Sequence, residues 1–180
     1  MQIDILRFLK QRPAGTIIGG RRRQTINKKG LSEYRIINFA TITNARMWRK
    51  KSILLIDENS DELRLFVAAL NELGIAYNCT YARNAEQGLK ILAGIIPDFI
   101  FLDMGVSAGV ECLAQIRRLN KLLDVPVIIY AKHVSDETRK SALKMGSVVF
   151  VRKTSNLKAL AETLQMILTP TQKEIQLLYS

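Results

Sequence analysis

The chain has no apolar run approaching the ~18 residues that a membrane-spanning helix needs. Its 180 residues hold one tryptophan, one histidine, two cysteines and four prolines. Each scarcity excludes something. The opening stretch MQIDILRFLKQRP is too short in its apolar part and too interrupted by charge for a secretory leader. Cys79 and Cys112 fall inside expected elements without metal-ligand spacing, so reduced core thiols and a cytoplasmic setting are expected. The lone His133 reads as an ordinary loop residue.

Acidic residues are nearly absent from one part of the chain. Residues 1–51 carry 13 of the 27 lysines and arginines but only two acids, Asp4 and Glu33, so the net charge of +11 lies there. The remainder holds 14 charges of each sign, and its 129 residues suit a single core. Three parts follow: a basic extension over 1–51 expected to be disordered, a folded domain over 52–168, and a tail over 169–180. RRR at 21–23, with Pro13, Gly15, Gly19, Gly20 and Gly30, breaks any sustained period in the extension. Nucleic-acid binding is not expected without a docking fold. Met47 is an alternative start, giving MWRKK as a short basic lead into the first strand.

Three apolar runs end on charge. SILLI stops at Asp57-Glu58, DFIFL at Asp103, and SVVFV at Arg152-Lys153. Apolar, β-branched-rich runs without alternation read as strands buried on both faces, hence a parallel sheet covered by helices. Ligands of open parallel sheets bind outside the carboxyl ends of the strands, where each of these charges stands.

Strands and helices alternate along 52–168, the pattern of a doubly wound α/β domain. Ser60 is the expected cap of a helix carrying Leu63, Phe66, Val67, Leu70 and Leu73, closed by Gly74. A strand is expected over 76–81. Asn84 and Gln87 form a capping-box pattern ahead of Leu89, Ile91 and Leu92. Pro97 precedes the strand ending at Asp103, and Gly109 opens a helix with Leu113 and Ile116 inward. Strands at 127–130 and 148–151 flank a polar helix capped by Ser135 and closed by Gly146. Thr154 or Ser155 is the expected cap of a last helix carrying Leu157, Leu160, Ala161, Leu164 and Leu168.

In order and spacing, ILLIDEN, YARNAEQGL, PDFIFLDM, VPVIIYA and MGSVVFVRK resemble the receiver domains of two-component response regulators, over about 51–168. The resemblance implies a flavodoxin-like fold, with five parallel strands ordered 2-1-3-4-5 and five helices. It further implies phosphotransfer from a histidine kinase or phosphotransfer protein to Asp103. Asp57, Glu58 and Asp103 would hold Mg²⁺, with the carbonyl of Gly105 as a further ligand. Lys153 would pair with Asp103 at rest and with a phosphoryl oxygen after transfer, and Phe150 would stand at the aromatic switch position. Phosphoryl transfer is mainly positioning and charge neutralisation, which is why a carboxylate, a cation and a lysine belong together.

Three positions depart from the family pattern. Ala131 stands where the family carries Thr or Ser, so its methyl cannot donate to a phosphoryl oxygen, and switching should suffer more than transfer. The loop MGVSAG after Asp103 reaches its glycine two residues early and lacks a proline. Thr154 replaces the proline that ordinarily follows the lysine, and a trans bond there is expected to shift Lys153 away from the site.

TPTQKEIQLLYS is too short for an output module, so the expectation is a single-domain receiver, not an enzyme, acting on an unknown downstream protein. A phosphorylation-independent interaction module is the alternative. A nucleotide- or flavin-binding flavodoxin-like protein is disfavoured, because ENSDE after the first strand would repel phosphate.

Overall fold

The middle strands of the sheet carry no exposed residue: four consecutive residues of the first strand and all of the third and fourth are buried. The computed structural model describes residues 50–105, 108–146 and 148–169. Most of the basic extension, the Met47 start, positions 106–107 of the loop after Asp103, and nearly all of the tail lie outside them.

Five strands, β1 (Lys51–Ile56), β2 (Tyr77–Ala82), β3 (Phe99–Leu102), β4 (Val127–Ala131) and β5 (Val148–Arg152), alternate with five helices. These are α1 (Ser60–Glu72), α2 (Ala85–Gly94), α3 (Gly109–Arg118), α4 (Asp136–Lys144) and α5 (Leu157–Leu168). The strands pair in parallel in the order β2-β1-β3-β4-β5, the flavodoxin-like order. The expected strand bounds move by a single residue: β1 begins at Lys51, inside the expected extension, β2 shifts one residue later at both ends, and β4 and β5 end one later.

Period two along the strands divides the core into two layers. Ile53, Leu55, Phe101, Ile128 and Tyr130 face α1 and α5, which bring Phe66, Leu70, Leu160 and Leu164. Leu54, Ile56, Ile100, Leu102 and Ile129 face α2 and α3, which bring Leu92, Cys112, Leu113 and Ile116. Each fully buried side chain of this kind contributes roughly 1.5–3 kcal/mol. Burial pushes both thiols up to about 11, so Cys79 and Cys112 are poor nucleophiles.

Two caps differ from expectation. Asn59, not Ser60, caps α1, its side chain accepting from the N–H of Asp61. Asn156, not Thr154 or Ser155, caps α5 by accepting from Ala159, while the Thr154 hydroxyl accepts from the N–H of Asn156. The Asn84 cap forms as expected, although Gln87 returns its hydrogen bond to the N–H of Arg83 rather than to Asn84.

Candidate functional site

Backbone bonds just beyond the strands aim the three charged residues. The N–H of Asp57 donates to the carbonyl of Ala82 at 3.0 Å, that of Asp103 to Ile56 at 2.9 Å, and that of Lys153 to Ala131 at 3.0 Å. Each residue is therefore the first past its own strand, still tied to the next one. Their side chains meet at the carboxyl edge of the sheet.

Asp57 has no exposed surface. Its Oδ1 accepts the N–H of Asn59 at 2.9 Å, and the Tyr81 hydroxyl donates to its carbonyl oxygen at 2.6 Å. Asp103, on β3's end, has its Oδ1 held by the N–H of Gly105 at 3.0 Å. A Cβ at position 105 would lie 3.1 Å from Asp103 Oδ2, so glycine there leaves the Asp103 carboxylate room. Gly109 is tighter still: a Cβ would meet Met104 Cα at 3.1 Å and the Asp103 carbonyl at 3.2 Å.

Lys153 lies between the two acids. Its Nζ is 2.6 Å from Asp57 Oδ2 and 2.9 Å from Asp103 Oδ2, with 4% of its side chain exposed. The expected displacement of this lysine does not occur. No cis peptide is present among the described residues; the Lys153 N–H bond to Ala131 fixes its backbone beside β4, and the side chain reaches both acids. Burial by itself would lower the Lys153 ammonium, but hydrogen bonds and charge from Asp57 and Asp103 outweigh it and hold the group above its ordinary value.

The other expected residues are placed as follows. Ala131 is buried at the end of β4, its methyl in the layer of α2 and α3. Phe150 is half-buried on β5, with the Arg139 guanidinium of α4 4.2 Å over its ring. Glu58 is exposed on the turn before α1, and no three-carboxylate group converges among the described residues. Gly105 presents its N–H to Asp103.

Do these residues suit a hard cation such as Mg²⁺? Asp57 Oδ2 is buried and receives no aligned hydrogen bond, its partner being the charge of Lys153. A buried carboxylate oxygen with spare lone pairs beside a second carboxylate is an oxygen-only donor set that such an ion takes, so Asp57 and Asp103 fit it.

Three residues were missed from sequence. Asn59 orients Asp57 and caps α1. Tyr81 braces the Asp57 backbone. Tyr130, fully buried on β4, lies with its ring centroid 5.4 Å from Lys153 Nζ and its hydroxyl 3.4 Å from Glu62. Asn59 had a signal, since an asparagine two residues past a strand-end acid suits an Asx turn. The tyrosines looked like strand formers and carried none.

Residues 53–165 match the family described as the response regulator receiver domain. The chain belongs to that family. This receiver is 24% identical over 123 residues to the phosphate regulon transcriptional regulatory protein PhoB of Pseudomonas aeruginosa, covering 67% of this chain and 53% of PhoB. It is 32% identical over 108 residues to the nitrogen assimilation regulatory protein NtrX of Azorhizobium caulinodans, covering 58% of this chain and 23% of NtrX. The chain thus spans about half the length of these curated relatives or less. Among solved structures, the phosphorylated cyanobacterial phytochrome response regulator RcpA superposes with a TM-score of 0.62 at 20% identity, covering 69% of this chain and 98% of RcpA. The Mn²⁺-bound response regulator Rcp1 gives 0.58 at 21% identity, covering 68% and 97%. Likeness at these identities shows a common receiver fold.

Proposed function

We propose that this receiver accepts a phosphoryl group on Asp103 from the phosphohistidine of a histidine kinase or phosphotransfer protein, and signals through contacts with a downstream protein. The observation that carries the reading is the placement of Lys153 Nζ 2.9 Å from Asp103, beside a second, buried carboxylate. A phosphorylated RcpA and a Mn²⁺-bound Rcp1 sharing the fold support it.

An Asp103 oxygen forms the new bond to phosphorus as the bond to the donor's imidazole nitrogen breaks, the imidazole keeping the electron pair and taking up a proton. The Gly105 N–H fixes the carboxylate's rotation during approach. Lys153, already at the nucleophile, pairs with a phosphoryl oxygen after transfer. Mg²⁺, when bound, supplies neutralisation of the spread negative charge. Asp57 and Asp103 would hold it. A groove of about 460 Å³, lined by Glu62, Lys132, His133 and Lys153 among others, adjoins the site. The chain is itself the acceptor and turns over no substrate of its own. A cytoplasmic setting belongs to the same reading, and no helix among the described residues is long and apolar enough to cross a membrane.

The test is incubation with acetyl phosphate and Mg²⁺, reading intact mass. A gain of one phosphoryl group, absent from Asp103→Asn, supports the reading, and no gain opposes it. A second reading rests on Ala131, whose methyl gives a phosphoryl oxygen no donor: an interaction module indifferent to phosphorylation. Such a module would bind its partner equally well as Asp103→Asn.

A further inference from the structure

Lys153 is nearly buried, and a buried ammonium needs all of its directions filled. Asp57 and Asp103 fill two of them. The ring of Tyr130 stands on a third side, its centroid 5.4 Å from Nζ, within range of an attractive contact between a cation and an aromatic face.

That ring is itself held. Phe66 of α1 meets it edge-on at 5.7 Å and Phe101 of β3 at 6.4 Å, and its hydroxyl donates to Glu62 of α1 at 3.4 Å. Tyr130 pairs in register with Val151, two residues before Lys153, so the same ladder carries both side chains. Lysine has a long, flexible stem and a compact charge, and much of its freedom must be removed before it can serve one oxygen. The two acids fix where the charge ends, and the ring bounds it on a third side.

We propose that Tyr130 is a positioning residue for Lys153, its ring forming the wall that keeps the ammonium between Asp57 and Asp103. The inference rests on the phosphoacceptor reading for its consequence, but the position of Lys153 can be measured without phosphorylation. Tyr130 touches no substrate and acts only through the lysine.

Two readouts on the whole chain test it. One is the Lys153 ammonium signal in ¹⁵N nuclear magnetic resonance, which persists only when the group is held and shielded from water. The other is the rate of phosphorylation by acetyl phosphate. Tyr130→Phe keeps the ring and is expected to retain the signal, with a rate within about threefold of the parent. Tyr130→Leu loses the signal and about tenfold in rate. Phe99→Leu, which removes a ring from the same core layer away from Lys153, lowers the melting temperature but keeps the signal. If Tyr130→Leu does not fold, pentafluorophenylalanine at position 130 keeps the shape, reverses the charge of the ring face and loses the signal.

Retention of signal and rate by Tyr130→Leu or by the fluorinated protein overturns the proposal, as does equal loss in Phe99→Leu or no held signal in the parent. A held signal that depends on Tyr130 in a protein that never gains a phosphoryl group would sink the phosphoacceptor reading and leave the positioning role standing.

Discussion

The Lys153 ammonium lies closer to Asp57, at 2.6 Å, than to Asp103, at 2.9 Å. The lysine that serves the proposed nucleophile is thus also the counter-charge of a carboxylate with no exposed surface. In the absence of a metal ion it pairs with both acids, and its removal leaves two close carboxylates without that cation.

Lys153→Met therefore destabilises the metal-free protein by about 3 kcal/mol, the scale for breaking a buried pair from one side. Mg²⁺ recovers part of that loss, because it restores positive charge between Asp57 and Asp103. Chemical denaturation of both proteins with Mg²⁺ or with chelator reads this directly. An equal loss in both conditions would contradict the assignment of Asp57 and Asp103 as the ion's holders.

The same pair sets a pH dependence. The folded-state value of Lys153 is raised above its ordinary 10.5, so its stabilisation is complete below that value and is lost as pH rises through the folded one. Unfolding free energies measured from about pH 9 upward should fall more steeply in the parent than in Lys153→Met. Parallel curves would show that the lysine is not held by the acids.

Ala131 is 3% exposed at the end of β4, where a β-branched residue suits the strand. Ala131→Thr adds a hydroxyl on the side of the site where the methyl now stands. It is expected to stabilise the phosphorylated form selectively, by about 1.5–3 kcal/mol, the range for a hydrogen bond to a charged group. The difference in melting temperature between phosphorylated and unphosphorylated protein should widen relative to the parent. No widening would place the phosphoryl group out of reach of position 131.

Helix α4 is the least anchored of the helices, with Ala142 as its one buried residue among the described positions and Arg139 lying over Phe150. Arg139→Ala should cost about 0.5–1 kcal/mol and raise amide exchange within α4 more than in α5, which buries five residues. Uniform exchange changes across the domain would show that the contact does not secure α4.

Much of this was legible in the sequence because the strands are buried on both faces. SILLI, DFIFL and VPVIIYA need no partner to be recognised as parallel strands, and the charges closing them mark the edge where a site forms. Asn156 was hidden by its neighbours: TSN offers three capping side chains, and only the backbone path decides among them. Lys153 was expected to lose its aim through Thr154, but the bond from its own N–H to Ala131, a contact between distant parts of the chain, fixes its backbone, and Asp57 and Asp103 draw in its ammonium. Tyr130 reads as one more apolar strand residue, and its nearness to Lys153 exists only once β4 and β5 are paired.

The most direct test of the account is to find which residue carries the phosphoryl group. After incubation with acetyl phosphate and Mg²⁺, borohydride reduction converts an acyl phosphate to a stable alcohol that peptide mass spectrometry can place. The account predicts one reduced position, Asp103, with none at Asp57 or Glu58. Modification elsewhere, or none in a folded protein with Lys153 in place, would contradict it.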